Sequence, residues 1–297
     1  MLPFENASCF QAGIGISANI FLLLFRIFTS LLDHKRRPAD MITCHLAFVH
    51  IMMLFTLLFL MSPDLFESLN LQNDLKCKTF IYLSRVTRGL SICTTCLLSL
   101  FQAITISPST SQLSRLKRKF TNSMVRIFFI FWSLSLSFSS NLIFYIVAVS
   151  NETQSSLLNF SKYCSLSPTS TIMTLVFFTL TMSRDVSFGG VMLLSSAYMV
   201  TLLIRHQRQA QHLHSTSLFP RLSPEKKATQ TILLLVSFFV IMYWVDLILS
   251  SYSTLLWEYG PVILGVQSLV TNVYPTVSPL VLISSDKRIK NIFQQRL

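Results

Sequence analysis

The sequence predicts an all-α membrane protein. It is a bundle of seven transmembrane helices, with the N-terminus extracellular and a short amphipathic helix on the cytosolic side at the C-terminus. Three observations predict this. Of 297 residues, 52% are hydrophobic and 12% charged, where an ordinary soluble domain carries about 25% charged residues. The apolar residues fall in charge-free blocks of membrane-crossing length. The Lys and Arg residues crowd into alternate connecting segments.

Composition also excludes. A soluble fold of this size needs more polar surface than this chain supplies. Disordered chains are poor in aromatic residues, whereas this one has 25 Phe. Six Cys make no disulfide scaffold. The net charge of +12 suggests nucleic acid only until the charges are located.

Stretches without Asp, Glu, Lys or Arg run over 6–25, 41–63, 89–114, 127–151, 163–183, 186–204, 228–245 and 259–285. A span needs ~20 mostly apolar residues. The blocks 163–183 and 186–204 are too short together for two spans and a loop. Only Arg184-Asp185 interrupts them, so they read as one helix carrying an internal charge pair. Seven spans follow, at about 10–32, 40–61, 77–105, 123–149, 171–205, 228–251 and 261–284, making a seven-span domain over 1–284 and a tail over 285–297. The first apolar block lacks a basic flank and a small-residue cleavage site. It is therefore expected to stay as a span.

The connecting segments alternate in charge. The segments 33–40, 107–126, 205–227 and 285–297 hold 17 Lys and Arg, and the other four hold 3. The basic side is cytosolic by the positive-inside rule. The sequons at Asn6, Asn151 and Asn159 all fall on the opposite side, which is where glycans are added. The basic surplus thus faces anionic lipid, and no nucleic-acid partner is expected.

Three classes of seven-span protein compete. A transporter would show repeated halves with Gly/Pro-broken helices, and a channel would need a filter or a charge ring. An enzyme would need a constellation of His, acid or Cys residues. None of these is visible. Cys93-x-x-Cys96 lies within an apolar span, where packing is the better reading than metal or redox chemistry. No cofactor or metal is expected. Cys77 at the outer start of the third span and Cys164 in the loop before the fifth could form a bridge that pins that loop over the bundle mouth.

The stretch GLSICTTCLLSLFQAITISPS (89–109) resembles the third-span signature of the vomeronasal type-1 receptors, a family of pheromone receptors. Segments HKRRPADMITCHLAFVH, SKYCSLSP, MLLSSAYMVTLLIRHQRQAQHLHSTSL and TVSPLVLISSDKRI agree in order, and the resemblance covers nearly the whole chain. It implies a plasma-membrane chemosensory receptor, a small volatile or steroid-like ligand, and coupling to a heterotrimeric G protein of the inhibitory class. Bitter-taste and olfactory receptors, or a transporter or channel, are the neighbouring alternatives. The chain departs from the wider rhodopsin-like pattern. Ala103-Ile-Thr-Ile-Ser107 stands where Asp-Arg-Tyr is usual, His50 near the sodium-binding Asp, and Asn272-Val-Tyr-Pro275 in place of Asn-Pro-x-x-Tyr. The usual ionic lock and sodium site do not carry over.

Individual residues then sort by chemistry. Gly15 and Asn19, four apart, suit close helix packing, and Trp132 likewise. Arg26, near the inner end, can snorkel and needs no function. Deep charges are different, because burying them costs a few kcal/mol or more. Arg85, Arg88, Arg184, Asp185 and Asp246 should face the interior and find partners, among Tyr82, Phe178, Tyr243 and Trp244. They serve a salt-bridge network, ligand contact, or both. Three positive charges against two negative favour an anionic ligand group. On the inner side, Arg115, Lys117, Arg118, Lys119, Arg205, Arg208, Lys226 and Lys227 are candidate G-protein contacts or lipid anchors. Ile289, Ile292, Phe293 and Leu297 recur at helical spacing opposite Lys287, Arg288 and Arg296, as an interfacial helix requires.

Overall fold

In a computed structural model the described residues are 2–32, 37–61, 73–107, 112–140, 146–148, 158–159, 164–166, 171–213, 224–256, 261–286 and 289. They form seven helices: α1 (Leu2–Leu32), α2 (Pro38–Met61), α3 (Asn73–Ile106), α4 (Gln112–Ser139), α5 (Thr171–Leu213), α6 (Pro224–Leu256) and α7 (Pro261–Ser285). Five of these contain segments long and apolar enough to cross a membrane, Asn6–Leu32, Pro38–Leu60, Leu75–Ile106, Thr179–Leu202 and Gly265–Ser285. In α6 the apolar helix Leu233–Asp246 is shorter, and α4 carries a polar, basic first half.

Each expected stretch lies within one helix except the fourth. That one was expected over 123–149, but α4 starts at Gln112 and ends at Ser139. Ile146–Ala148 is instead strand β1, which pairs antiparallel with β3 (Cys164–Leu166), itself paired with β2 (Leu158–Asn159). Apolar character alone does not separate helix from strand. Val147 is β-branched, and its flanking run Leu142-Ile-Phe-Tyr-Ile146 is rich in residues that favour strands. The described residues are therefore all-helical apart from this small sheet. At Arg184-Asp185 the expectation holds, since α5 runs through the pair unbroken.

The central helix is α3. Its most apolar stretch is 78% buried, against 22% in α1. One core joins Leu46 of α2, Ile92 and Phe101 of α3, Met124 of α4, Met192 of α5, Phe239 of α6 and Tyr274 of α7. Exposed Phe28, Phe129, Leu194 and Ile241 face outward, as a lipid-facing surface requires.

Between apolar helices in lipid, small residues and side-chain hydrogen bonds supply the specificity. His45 of α2 shows how the bonds fix a tautomer. The Trp132 Nε1–H donates to His45 Nε2 at 3.1 Å, so Nδ1 carries the proton and donates to Thr94 Oγ1 at 3.0 Å. His50 lies between Ser91 Oγ of α3 at 3.0 Å and Ser278 Oγ of α7 at 3.1 Å. Thr95 meets the Tyr274 hydroxyl at 3.1 Å, and Ser99 meets Ser195 at 2.6 Å.

The α1–α7 seam has a backbone cause. Pro279 lies inside α7 and has no N–H, so the Pro275 carbonyl loses its helical donor. The Asn19 amide donates to that carbonyl at 2.9 Å and to Gly15 O at 2.7 Å. A Cβ on Gly15 would lie 2.6 Å from Leu54 Cδ1 and 3.2 Å from Thr276 Cα. Gly15 is what lets the helices approach closely enough for Asn19 to reach.

Arg26 corrects an expectation. Rather than snorkelling alone, it binds Asp40 of α2 at 2.7 Å and Asp286 after α7 at 3.0 Å, with its side chain 13% exposed. Aspartates at the start of α2 and just past the end of α7 give the guanidinium partners within the protein.

Candidate ligand-binding site

Five charges expected at depth come from three helices. Arg85 and Arg88 belong to α3, Arg184 and Asp185 to α5, and Asp246 to α6. Arg88 forms an ion pair with Asp246. The second Asp246 oxygen accepts from Thr271 Oγ1 of α7 at 2.7 Å. Asp246 is 2% exposed, so α3, α6 and α7 meet at one buried carboxylate. On α5, Arg184 binds its neighbour Asp185 at 2.7 Å, and Asp185 and Tyr243 of α6 line the same cavity. Arg88 lies over the Tyr243 ring at 5.9 Å, and Arg184 over Phe138 at 5.7 Å.

Gly89 makes room for Arg184. A Cβ there would meet the Arg184 guanidinium at 2.9 Å and Ser135 Oγ of α4 at 3.2 Å. The guanidinium thus lies against the bare α3 backbone.

Two expected residues sit differently. Arg85 is exposed, although Arg88, Asp246, Asp185 and Arg184 all lie within its electrostatic reach. Three residues along a helix leave an offset of about 60°. That offset turns Arg85 out of the packed face that holds Arg88. Trp244 is 49% exposed, because it is about 100° around α6 from the inward-facing Tyr243. Tyr82 donates to the Leu136 carbonyl of α4 at 3.1 Å, a packing contact. The Phe178 side chain lies outside the described residues.

Two cavities adjoin this cluster. One, of about 40 Å³, is lined by Arg88, Ser91, Tyr243, Asp246, Thr271 and Tyr274 among others. A second, of about 120 Å³, lies between α5 and α6, with Asp185, Gly189, Gly190, Tyr243 and Trp244 in its lining. The described residues hold no group of three His, Cys, Asp or Glu fit for a metal ion.

Sequence reasoning missed His50, Thr271 and Gly89 as parts of this assembly. Thr271 carried no signal, since one Thr in an apolar span is common. His50 carried a weak one, as a polar ring placed where the wider pattern has a carboxylate.

Near the start of α3, Cys77 is buried and disulfide-bonded. Cys164 is placed by its backbone on β3 opposite Ala148 of β1, and β1 packs against α3. Cys9, Cys44, Cys93 and Cys96 form no disulfide. Asn6 is exposed on α1, and Asn159 is placed by its backbone on β2. Asn151 lies outside the described residues. Arg205 is exposed on α5. Arg115, Lys117, Arg118 and Lys119 belong to the start of α4, Arg208 to the end of α5, and Lys226 and Lys227 to the first turn of α6. The side chains of these seven lie outside the described residues. Ser107 after α3 meets the Tyr198 hydroxyl of α5 at 2.8 Å, a neutral contact close to where an ionic lock would act. Ile289 is buried, while Ile292, Phe293 and Leu297 lie outside the described residues.

Residues 5–295 match the profile of the vomeronasal organ pheromone receptor family. The chain is 46% identical over 287 residues to vomeronasal type-1 receptor 90 of Rattus norvegicus, covering 97% of this chain and 92% of that one. It is 41% identical over 290 residues to vomeronasal type-1 receptor 94 of Rattus norvegicus, covering 98% and 88%. It is 40% identical over 290 residues to vomeronasal type-1 receptor 45 of Mus musculus, covering 98% and 91%.

Proposed function

The chain belongs to the vomeronasal type-1 receptor family, and from this premise we propose that it binds a small molecule among α3, α5 and α6 and signals to a heterotrimeric G protein of the inhibitory class. The observation that carries the binding site is the cluster of Arg88–Asp246 and Arg184–Asp185 pairs beside Tyr243. Mostly apolar walls with a few fixed polar groups are the usual construction of small-molecule sites. The Arg88 and Arg184 guanidinium groups are fixed donors in the cluster, and such groups suit a carboxylate or sulfate on the ligand. The ligand enters from the extracellular mouth.

The test uses cells expressing the full chain, screened with volatiles and steroids in a calcium or cyclic-nucleotide assay. Block by pertussis toxin is the expected signature of the G-protein class. Arg88→Ala and Arg184→Ala are then compared with an active anionic ligand and its neutral analogue. The anionic response should fall at least about tenfold more than the neutral one, the worth of a charge-assisted bond, with surface expression intact. Equal loss for both ligands would assign the two arginines to structure alone.

We also assign the N-terminus and the 150–170 loop to the extracellular side, Cys164 as the disulfide partner of Cys77, and Asn6, Asn151 and Asn159 as glycan acceptors. Supporting this are the basic inner segments and the four other cysteines, none of which forms a disulfide. The basic residues Arg115, Lys117, Arg118, Lys119, Arg205, Arg208, Lys226 and Lys227 then face the G protein. The tail from 285 lies along the inner leaflet as a short amphipathic helix. Asn→Gln at each sequon should lower glycan mass in microsomes. Unchanged mobility in all three, with glycosylation of sites engineered into 205–227, would invert the topology.

A further inference from the structure

We propose that an anionic ligand binds by taking the place of the Asp246 carboxylate on Arg88, so that the step that seats the ligand also unties α6 from α3. The exchange rests on the anionic ligand proposed above, and it makes Asp246 and that ligand competitors for one guanidinium.

Pairing is the first argument. Arg88 already holds Asp246, and Arg184 already holds Asp185. A buried guanidinium that loses its carboxylate is left as an uncompensated charge. An anion from outside therefore enters by exchange, one carboxylate for another.

Reach decides which arginine exchanges. The Arg184 guanidinium is enclosed. It lies 3.3 Å from where a Gly89 Cβ would stand and over the Phe138 ring, with the side chain 9% exposed. The Arg88 side chain is 23% exposed and borders a cavity of about 40 Å³, with Ser91 and Tyr274 in the same wall. One water needs about 10–15 Å³. The space beside Arg88 thus admits a head of two or three heavy atoms, such as a carboxylate. Anything larger has to push Asp246 aside.

The consequence differs between the two pairs. Arg184 and Asp185 are neighbours on α5, so exchange there moves no helix. Arg88 and Asp246 join α3 to α6, and Asp246 also accepts from Thr271 of α7 at 2.7 Å. When Arg88 turns to the ligand, α6 keeps its bond to α7 and loses its charged bond to α3. The released carboxylate is not stranded. It retains the Thr271 donor, and Arg85, three residues earlier on α3, is within its electrostatic reach.

The test uses the full chain, with acetate as the probe and acetamide as its uncharged counterpart. Asp246→Ala removes the carboxylate, and acetate restores one whose methyl group the adjoining cavity takes. Acetate should raise the surface level and the melting temperature of Asp246→Ala in a saturable way. It should do so at concentrations at least about tenfold below any effect on the unaltered receptor, which still holds the competing carboxylate. Acetamide should do neither. Arg88→Met, Asp246→Leu should not respond to acetate, but without the α3–α6 tie its basal GTPγS binding should rise at least about threefold, as a minor state gains population. Acetate acting no better than acetamide on Asp246→Ala would overturn the exchange, and basal signalling of the double variant at the wild-type level would overturn the release of α6. If Asp246→Ala yields no receptor in either medium, Asp246→Asn decides by the same comparison, since acetate displaces a neutral amide more readily than a carboxylate. Acetate rescue in a chain that never signals, with or without ligand, would uphold the exchange and sink the G-protein reading instead.

Discussion

Asp246→Ala is expected to destabilise the receptor by about 3–5 kcal/mol, the cost of removing one partner from a buried ion pair. The carboxylate accepts from Arg88 and from Thr271, so its loss strands a guanidinium and frees a hydroxyl within the bundle. Lipid supplies no replacement partner. The melting temperature of detergent-solubilised receptor and the fraction reaching the cell surface should both fall sharply. The double variant Arg88→Met, Asp246→Leu should lose less, because no charge is left alone. If the single variant proves no worse than the double one, the pair contributes little to the fold.

Gly15→Val is expected to part α1 from α7. The first added carbon would already lie 2.6 Å from Leu54 Cδ1 and 3.2 Å from the Thr276 backbone. The leucine end can swing aside, but the backbone cannot. Overpacking costs about 1–3 kcal/mol. Separation of the helices also withdraws Asn19 from the Pro275 carbonyl, and an unsatisfied buried acceptor costs about 1–3 kcal/mol more. Gly15→Ala should fall between wild type and Gly15→Val in melting temperature. A valine variant as stable as wild type would mean that α1 docks loosely.

The spacing of the charges made most of the helix pattern legible. Charged residues cannot sit against lipid cheaply, so the charge-free blocks mark the helices, and each expected stretch but the fourth lies within one of them. The fourth was overextended because apolar content is shared by spanning helices and by buried strands. What turns 146–148 into β1 is a partner at 164–166, some twenty residues away, and no local pattern carries that pairing.

The candidate site divides in the same way. Depth along each span is a one-dimensional quantity, and the sequence alone placed Arg85, Arg88, Arg184 and Asp185 well inside their spans and Asp246 about one and a half turns from the end of its own. The cost of burying charge required that they find partners. Which partner each takes is set by helix rotation and neighbour order. Only the tertiary structure decided that Arg88 reaches across to α6 while Arg184 turns to its own neighbour. It also turned Arg85 and Trp244 outward, and it placed Asp40 and Asp286 around Arg26. The physical reason is that one residue advances a helix face by about 100°. A partner is therefore chosen by rotations and close approaches, such as those at Gly15 and Gly89, which exist only once the helices have packed.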